Sequence, residues 1–387
     1  MRLLILATST GAFFNLYQLQ ALYPWLAARF EATLTQAGWL NMATLLGMMF
    51  TAPFASRWTR HLAPANAILA GIGLLVVLNA LLAASATLTG LWLVRLVQGV
   101  VLPCVLTACV ALLAGAKSER QRAQWVGLFV TGTIAGSTLS RFYPAWALDT
   151  LGWAGGFGSA AGLLGVAWLL LLRQRRHTPD YAAPAAQPPF RELLKKALVE
   201  TRLRLAFIVG FSLLFTQSAI FTALGLKLAQ PPFMQSAAQI GLVYLASLPA
   251  IAAVLASPRL YQNRRETPFF AAFAGLVWLS LAIIGQGYAS IIAGVILFSV
   301  GTYLLQTLTT RLVSRAERVP AAFASGMYLG FYYAGGALGA ILSAAIFSRA
   351  GFAGVLGLVA AVQLAAVGMI FASTLGAGKR RRPSNKA

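Results

Sequence analysis

The chain has 387 residues, 59% of them hydrophobic and only 10% charged, a balance that excludes an ordinary soluble domain and points to an all-α, polytopic membrane protein. Its 30 Lys and Arg against 8 Asp and Glu give a net charge of +22, which in a soluble chain would suggest a nucleic-acid partner. The cations gather in loops rather than on one compact surface, so nucleic acid is not expected.

At about twenty apolar residues per crossing, twelve spans are predicted. The first, 3–28, lacks a small-residue cleavage site and is expected to remain as a spanning helix; it carries Asn15, Tyr17, Gln18 and Gln20 before Pro24. The next two cover 36–56 and 65–85, joined by the basic SRWTRH. The fourth, 90–114, contains Arg95, Gln98 and both cysteines. Cys104 and Cys109 point about 140° apart on a helix, with no metal-ligand spacing, and read as packing residues. After AKSERQR come 123–147, which holds Arg141, and 153–172; Asp149 falls just past the end of the former. The long polar stretch 173–204, with HTPDYAAPAAQPPF and then RELLKKAL, reads as a cytoplasmic linker. The remaining spans are 205–228, 238–257, 268–287, 289–310, 322–346 and 352–374, followed by a basic tail, 375–387. Of these, the seventh carries Thr216, Gln217, Ser218, Thr222 and Lys227, the tenth Gln306, and the eleventh Tyr328, Tyr332 and Tyr333. His61 and His177 lie in basic loops; no catalytic, cofactor or metal role is expected of them.

The linker divides the chain into two six-span units, 1–172 and 205–374, and the units repeat. Sliding the chain by 199 residues lays 127–155 on 326–354, so that Gly136, Ala145, Gly152 and Gly155 recur as Gly335, Ala344, Gly351 and Gly354. With an even number of spans, 25 of the 30 cations fall on one face, while Arg29, Arg349 and Lys227 fall toward the other. The positive-inside rule then makes both termini cytoplasmic and offers anionic lipid headgroups a basic surface.

Several motifs resemble the major facilitator superfamily. Arg95-Leu96-Val97-Gln98-Gly99 is similar to its RxxQG signature, and the Gly-rich fifth span followed by GWAGGF is similar to an antiporter-type fifth helix. YQLQALYP (17–24), FTALGLKL (221–228) and SGMYLGFYYAGGALG (325–339) resemble the YnfM-type branch of bacterial inner-membrane exporters, related to drug and arabinose efflux permeases. The resemblance implies two pseudo-symmetric six-helix bundles, a monomer, and efflux of a small organic solute by alternating access. One motif departs: where the superfamily loop reads GxxxDRxGRR, this chain has APFASRWTRH, keeping Arg57 and Arg60 but placing Ser56 at the Asp. Glu119 is a candidate substitute partner for an arginine in that gate.

All eight carboxylates, Glu31, Glu119, Asp149, Asp180, Glu192, Glu200, Glu266 and Glu317, fall outside the predicted spans. Arg95 and Arg141 are thus intramembrane cations without an intramembrane acid, an arrangement that marks function by default. One reading gives each a carboxylate, phosphate or sulfonate ligand, which suits the planar guanidinium fork. The other makes Arg95 a structural or gating group held by backbone carbonyls and Gln98, and lets Arg141 snorkel to water or pair with Asp149. Asn15, Tyr17 and Gln20, with Gln217, Thr222 and Lys227 of the equivalent seventh span, then form a candidate solute site, to which Gln306, Tyr328 and Tyr332 add hydrogen bonds and apolar faces. Proton antiport and proton-independent exchange or import both remain open. An enzyme is not expected, because no convergent catalytic groups are present. A solute sensor that does not transport would look the same in sequence.

Overall fold

The computed structural model describes residues 1–114, 118–174, 188–260, 267–284 and 287–380, and these are helical, with short connections and no strand among them. In chain order the helices are α1 (Arg2–Phe14), α2 (Tyr23–Arg29), α3 (Leu34–Thr59), α4 (Pro64–Ala84), α5 (Leu88–Ala114), α6 (Glu119–Gln174), α7 (Phe190–Val199), α8 (Thr201–Leu228), α9 (Ala237–Tyr244), α10 (Pro249–Leu260), α11 (Thr267–Ile283), α12 (Tyr288–Ser314) and α13 (Ala321–Arg380). Among the described residues, seven helices are long and apolar enough to cross a membrane, so the protein is a multi-pass membrane protein. The outward faces agree: α4 and the later parts of α6 and α13 expose Val77, Leu81, Val166, Leu169, Leu364 and Val367.

Two helices are too long for one crossing. α6 has 56 residues and α13 has 60, and at about 1.5 Å per residue each far exceeds a ~30 Å hydrocarbon core. Both break at a glycine in a backbone region closed to side chains: Gly152 at φ 69°, ψ −178° and Gly351 at φ 61°, ψ −161°. These glycines occupy equivalent positions in the sequence repeat. Other features recur with them. Thr33 and Gln36 form a capping box that opens α3, as Ser236 and Gln239 do for α9. Gly136 lies against the Thr10 carbonyl of α1, and its counterpart Gly335 lies against the Phe211 carbonyl of α8; a Cβ at either position would overlap that oxygen.

The helices depart from the predicted spans in four places. The first span is not continuous: α1 ends at Phe14, turns occupy 15–19, a 3-10 turn covers Gln20–Leu22, and α2 follows. Pro24 lies in the first turn of α2, where its missing N–H costs nothing; inside a longer helix its ring would collide with the carbonyl one turn back. The eighth span is interrupted by a 3-10 turn at Leu245–Ser247. Asp149 lies within α6, before the break at Gly152, not beyond a helix end. Within 173–204, α7 is a full helix and α8 begins at Thr201; residues 175–187 lie outside the described residues.

Side-chain contacts define the two ends of the molecule. At one end, Arg2 donates to Gln124 at 3.0 Å, and Phe190 of α7 stacks on Phe54 at 4.7 Å and meets Phe323 edge-on at 5.5 Å. There the Glu200 carboxylate accepts from the Glu317 and Arg318 amides, both at 3.2 Å, while Arg202 pairs with Glu317 at 2.9 Å. At the opposite end Trp25 stacks on Trp153 at 5.3 Å, and the indole of Trp153 donates to the Leu82 carbonyl at 2.8 Å.

Candidate functional site

The break between α1 and α2 leaves backbone carbonyls without helical partners, a costly condition inside a membrane. Arg95 of α5 satisfies them. Its Nη1 donates to Asn15 O and its Nη2 to Leu16 O, each at 2.7 Å, and Nη1 also donates to Gln98 Oε1 at 2.7 Å. Around it, Asn79 of α4 donates to Asn15 Oδ1 at 2.6 Å, Gln98 donates to the same oxygen at 3.3 Å, and Gln18 donates to Asn79 Oδ1 at 2.8 Å. All five side chains are fully buried. A fixed cation at the C-terminal end of α1 also complements the helix dipole. In this arrangement the Arg95 guanidinium is directed at the protein's own backbone.

Arg141 lies on α6 about 16 Å along the helix from the Gly152 break and is 3% exposed. Its Nε donates to Gln20 Oε1 at 2.7 Å and its Nη1 to Ser137 O, one turn back, at 2.8 Å. The guanidinium carbon lies 3.8 Å from the ring centre of Tyr17, 4.6 Å from that of Phe221 and 5.9 Å from that of Tyr244, distances at which aromatic faces stabilise a cation. Gln20 extends the link, donating to Thr222 Oγ1 at 3.2 Å and to Ser218 O at 3.5 Å. Arg141 therefore joins α6 and the broken first span to α8 and α9. It does not pair with Asp149, whose carboxylate accepts instead from the Ala238 amide in the first turn of α9 at 3.1 Å. The other carboxylates among the described residues stand at helix ends, on α7 or in connections, so the positive charge of Arg141 is met by π faces and neutral oxygens.

The other predicted site residues divide into those near this centre and those apart from it. Tyr328 and Tyr332 of α13 sit with ring centres 5.9 Å apart, and Tyr332 meets Tyr333 at 5.4 Å. Gln217 donates to Thr302 at 3.2 Å inside the α8–α12 contact, and Gln306 is half-buried on α12. Lys227 lies at the opposite end from the termini, with its ammonium 4.7 Å from the centre of the Phe352 ring. Of the gating candidates, Arg57 is exposed and Arg60 donates to His61 at 3.0 Å; the side chain of Glu119 lies outside the described residues.

Sequence reasoning missed Asn79, Ser137, Tyr303, Phe221 and Tyr244. Asn79 had a signal, since it is the one amide in the otherwise apolar LLVVLNALLAA. Ser137 and Tyr303 share a hydrogen bond at 3.1 Å between α6 and α12, and Phe221 and Tyr244 touch Arg141 only through the fold, so spacing along the chain held no sign of them.

Comparison with known proteins agrees with this architecture. The chain is similar to the uncharacterized transporter YgaY of Escherichia coli O157:H7, at 24% identity over 91% of this chain and 90% of the relative. It is also similar to the uncharacterized MFS-type transporter YybF of Bacillus subtilis, at 24% identity over 93% and 90%. An uncharacterized transporter of Buchnera aphidicola is 21% identical over 85% and 80%. A family model described as Major Facilitator Superfamily matches residues 3–331, nearly the whole helical chain, and the protein belongs to that superfamily of transporters.

Proposed function

We propose that the protein is a secondary transporter that moves a small organic solute across the bacterial inner membrane by alternating access, with an anionic or strongly hydrogen-bonding solute at Arg141. The observation that carries this reading is a buried guanidinium with no carboxylate beside it among the described residues, positioned where the two repeats meet. A lipophilic cation would be repelled there, whereas a carboxylate gains charge-assisted hydrogen bonds. In this reading the breaks at Gly152 and Gly351 bring the crossings to twelve, in bundles 1–172 and 205–374 joined by the linker 173–204, with the tail 375–387 and both termini cytoplasmic. The bundles rock as a monomer around the site, while the exposed Arg191 and Lys195 of α7 meet anionic lipid headgroups.

The resemblance to efflux permeases favours export, driven by a proton or a counter-solute. A second reading, an importer or exchanger without proton coupling, is favoured by the placement of the described carboxylates: none lies beside Arg141 to titrate near mid-membrane. Flux of a panel of organic anions and neutral compounds in proteoliposomes, with and without a pH gradient, tests both. Anion flux is expected to fall more than about tenfold in Arg141→Ala, the loss of one charge-assisted contact. Normal transport by that variant refutes the anion site, and uphill flux that requires the pH gradient selects antiport.

A further inference from the structure

The surroundings of Arg141 say more about the body of the solute than about its charge. Beyond the guanidinium, the broken first span, α12 and α13 bring phenols together. Tyr17 lies under Arg141, Tyr303 bonds to Ser137 one turn from it, and both lie within electrostatic reach of Tyr332, which packs against Tyr328 and Tyr333. These rings come from both repeats and from separate helices. The amides that would mark a sugar or polyol site are engaged within the protein. Gln20 is engaged by Arg141 and Thr222, and Gln98 by Arg95 and Asn15.

A second observation points to a ligand. The hydroxyls of Tyr328 and Tyr23 are buried and form no close hydrogen bond, although Thr310 lies beside the first and Thr222 beside the second. Buried phenols ordinarily find one, because an unmet hydroxyl carries its full desolvation cost. Tyr23 lies within electrostatic reach of both Arg95 and Arg141, and Tyr328 packs against Tyr332. The cluster thus offers the Arg141 guanidinium, flat apolar faces and phenol hydroxyls without a close bond.

Building on the anion reading above, we propose that the solute is a planar aromatic monocarboxylate, its carboxylate on the edge of Arg141 and its ring among Tyr17, Tyr303 and Tyr332. Arg95, the other buried cation here, is taken up by the carbonyls of Asn15 and Leu16, which leaves Arg141 to the solute and suits a single negative charge. Ring-on-ring contact supplies a preference that an aliphatic acid of equal charge does not receive.

Calorimetric titration of the detergent-solubilised protein with benzoate, 4-hydroxybenzoate, hexanoate and benzyl alcohol tests this. Benzoate and 4-hydroxybenzoate are expected to bind three- to tenfold more tightly than hexanoate, the range that about 0.7–1.4 kcal/mol of aromatic contact gives, and benzyl alcohol not measurably. Arg141→Gln is expected to lose all three acids. Tyr332→Leu is expected to shrink the aromatic preference to about twofold or less, and Tyr332→Phe to restore it. Thermal midpoints of each variant identify any that fail to fold, in which case Tyr303→Leu and Tyr303→Phe carry the same comparison. Equal, Arg141-dependent binding of benzoate and hexanoate overturns the aromatic assignment while leaving the anion site standing. Binding of no carboxylate, or of all of them by Arg141→Gln, overturns both.

Discussion

Residues 2–29 and 201–228, which hold the first and the seventh predicted spans, are the same stretch of the two repeats, yet one is broken and the other is a single helix. The difference begins at one position: Pro24 in the first repeat corresponds to Ala223 in the second. Because α8 satisfies its own backbone, it needs little beyond packing, and it is buried on every side from Ser212 to Leu226. Its polar side chains make only scattered bonds, such as Gln217 to Thr302 and Gln363 to Thr216, both at 3.2 Å. The broken span must import donors, and Arg95, Gln98 and Asn79 supply the network around Asn15 and Gln18. Polar residues in a membrane span therefore fall into two groups. Some repair a backbone break, and others are left facing the join between repeats. Asn15 and Gln18 belong to the first group; Tyr17 and Gln20, which reach Arg141, belong to the second.

If that division is right, the largest contrast in stability lies between Arg95→Ala and Gln217→Ala. The first leaves the carbonyls of Asn15 and Leu16 buried without donors and is expected to cost about 3 kcal/mol or more, seen as a large fall in thermal midpoint in detergent and in membrane yield. The second removes one neutral side-chain bond, a loss of about 0.6 kcal/mol by the average for such contacts in membranes. An Arg95→Ala protein as stable as Gln217→Ala would mean that the break is held by packing alone.

Much of this was legible in the sequence, and the limits have physical causes. Span positions follow from the apolar runs. The repeat could be seen because Gly152 and Gly351 each serve a conformation that only glycine adopts, and Gly136 and Gly335 each permit a close approach to a neighbouring carbonyl. Arg95 and Arg141 stood out because buried cations are expensive. Their different surroundings were not legible. A guanidinium facing carbonyls and one facing rings look alike in sequence, since what decides between them is the path of α1 and the approach of α8 and α9. The discontinuity of the first span was hidden for a related reason: Pro24 permits a helix start as readily as a kink, and the turns at 15–19 contain no glycine.

Exchanging the residues at position 24 and its counterpart probes the comparison more directly, with a smaller effect. Ala223→Pro places a proline inside a continuous helix and is expected to cost up to about 3 kcal/mol, the upper bound because membrane helices partly absorb such kinks. Pro24→Ala removes a restriction from a break already held by Arg95 and is expected to cost less than about 1 kcal/mol. Thermal denaturation of the two variants side by side measures the asymmetry. Equal losses would show that the repeats are conformationally alike at this level, and would assign the break to the Arg95 network rather than to the proline.

The smallest expected effect is the one on which the repeats should agree. Gly152 and Gly351 both hold a positive φ, and a Cβ added to either meets no atom within 4 Å, so the penalty for Gly→Ala is conformational and owes nothing to crowding. Positive φ with ψ near 180° costs an alanine about 1–3 kcal/mol, and the two substitutions should therefore shift the thermal midpoint by similar amounts. The double variant should show the sum, because the glycines sit in separate helices and a Cβ at either meets no neighbour within 4 Å. A loss at Gly152 well above that at Gly351 would mean that the stacked Trp25 and Trp153 beside it depend on the break. The asymmetry of the first span would then extend to this end of α6. Matching losses would confine it to the stretch between α1 and α2, where Arg95 and Arg141 act.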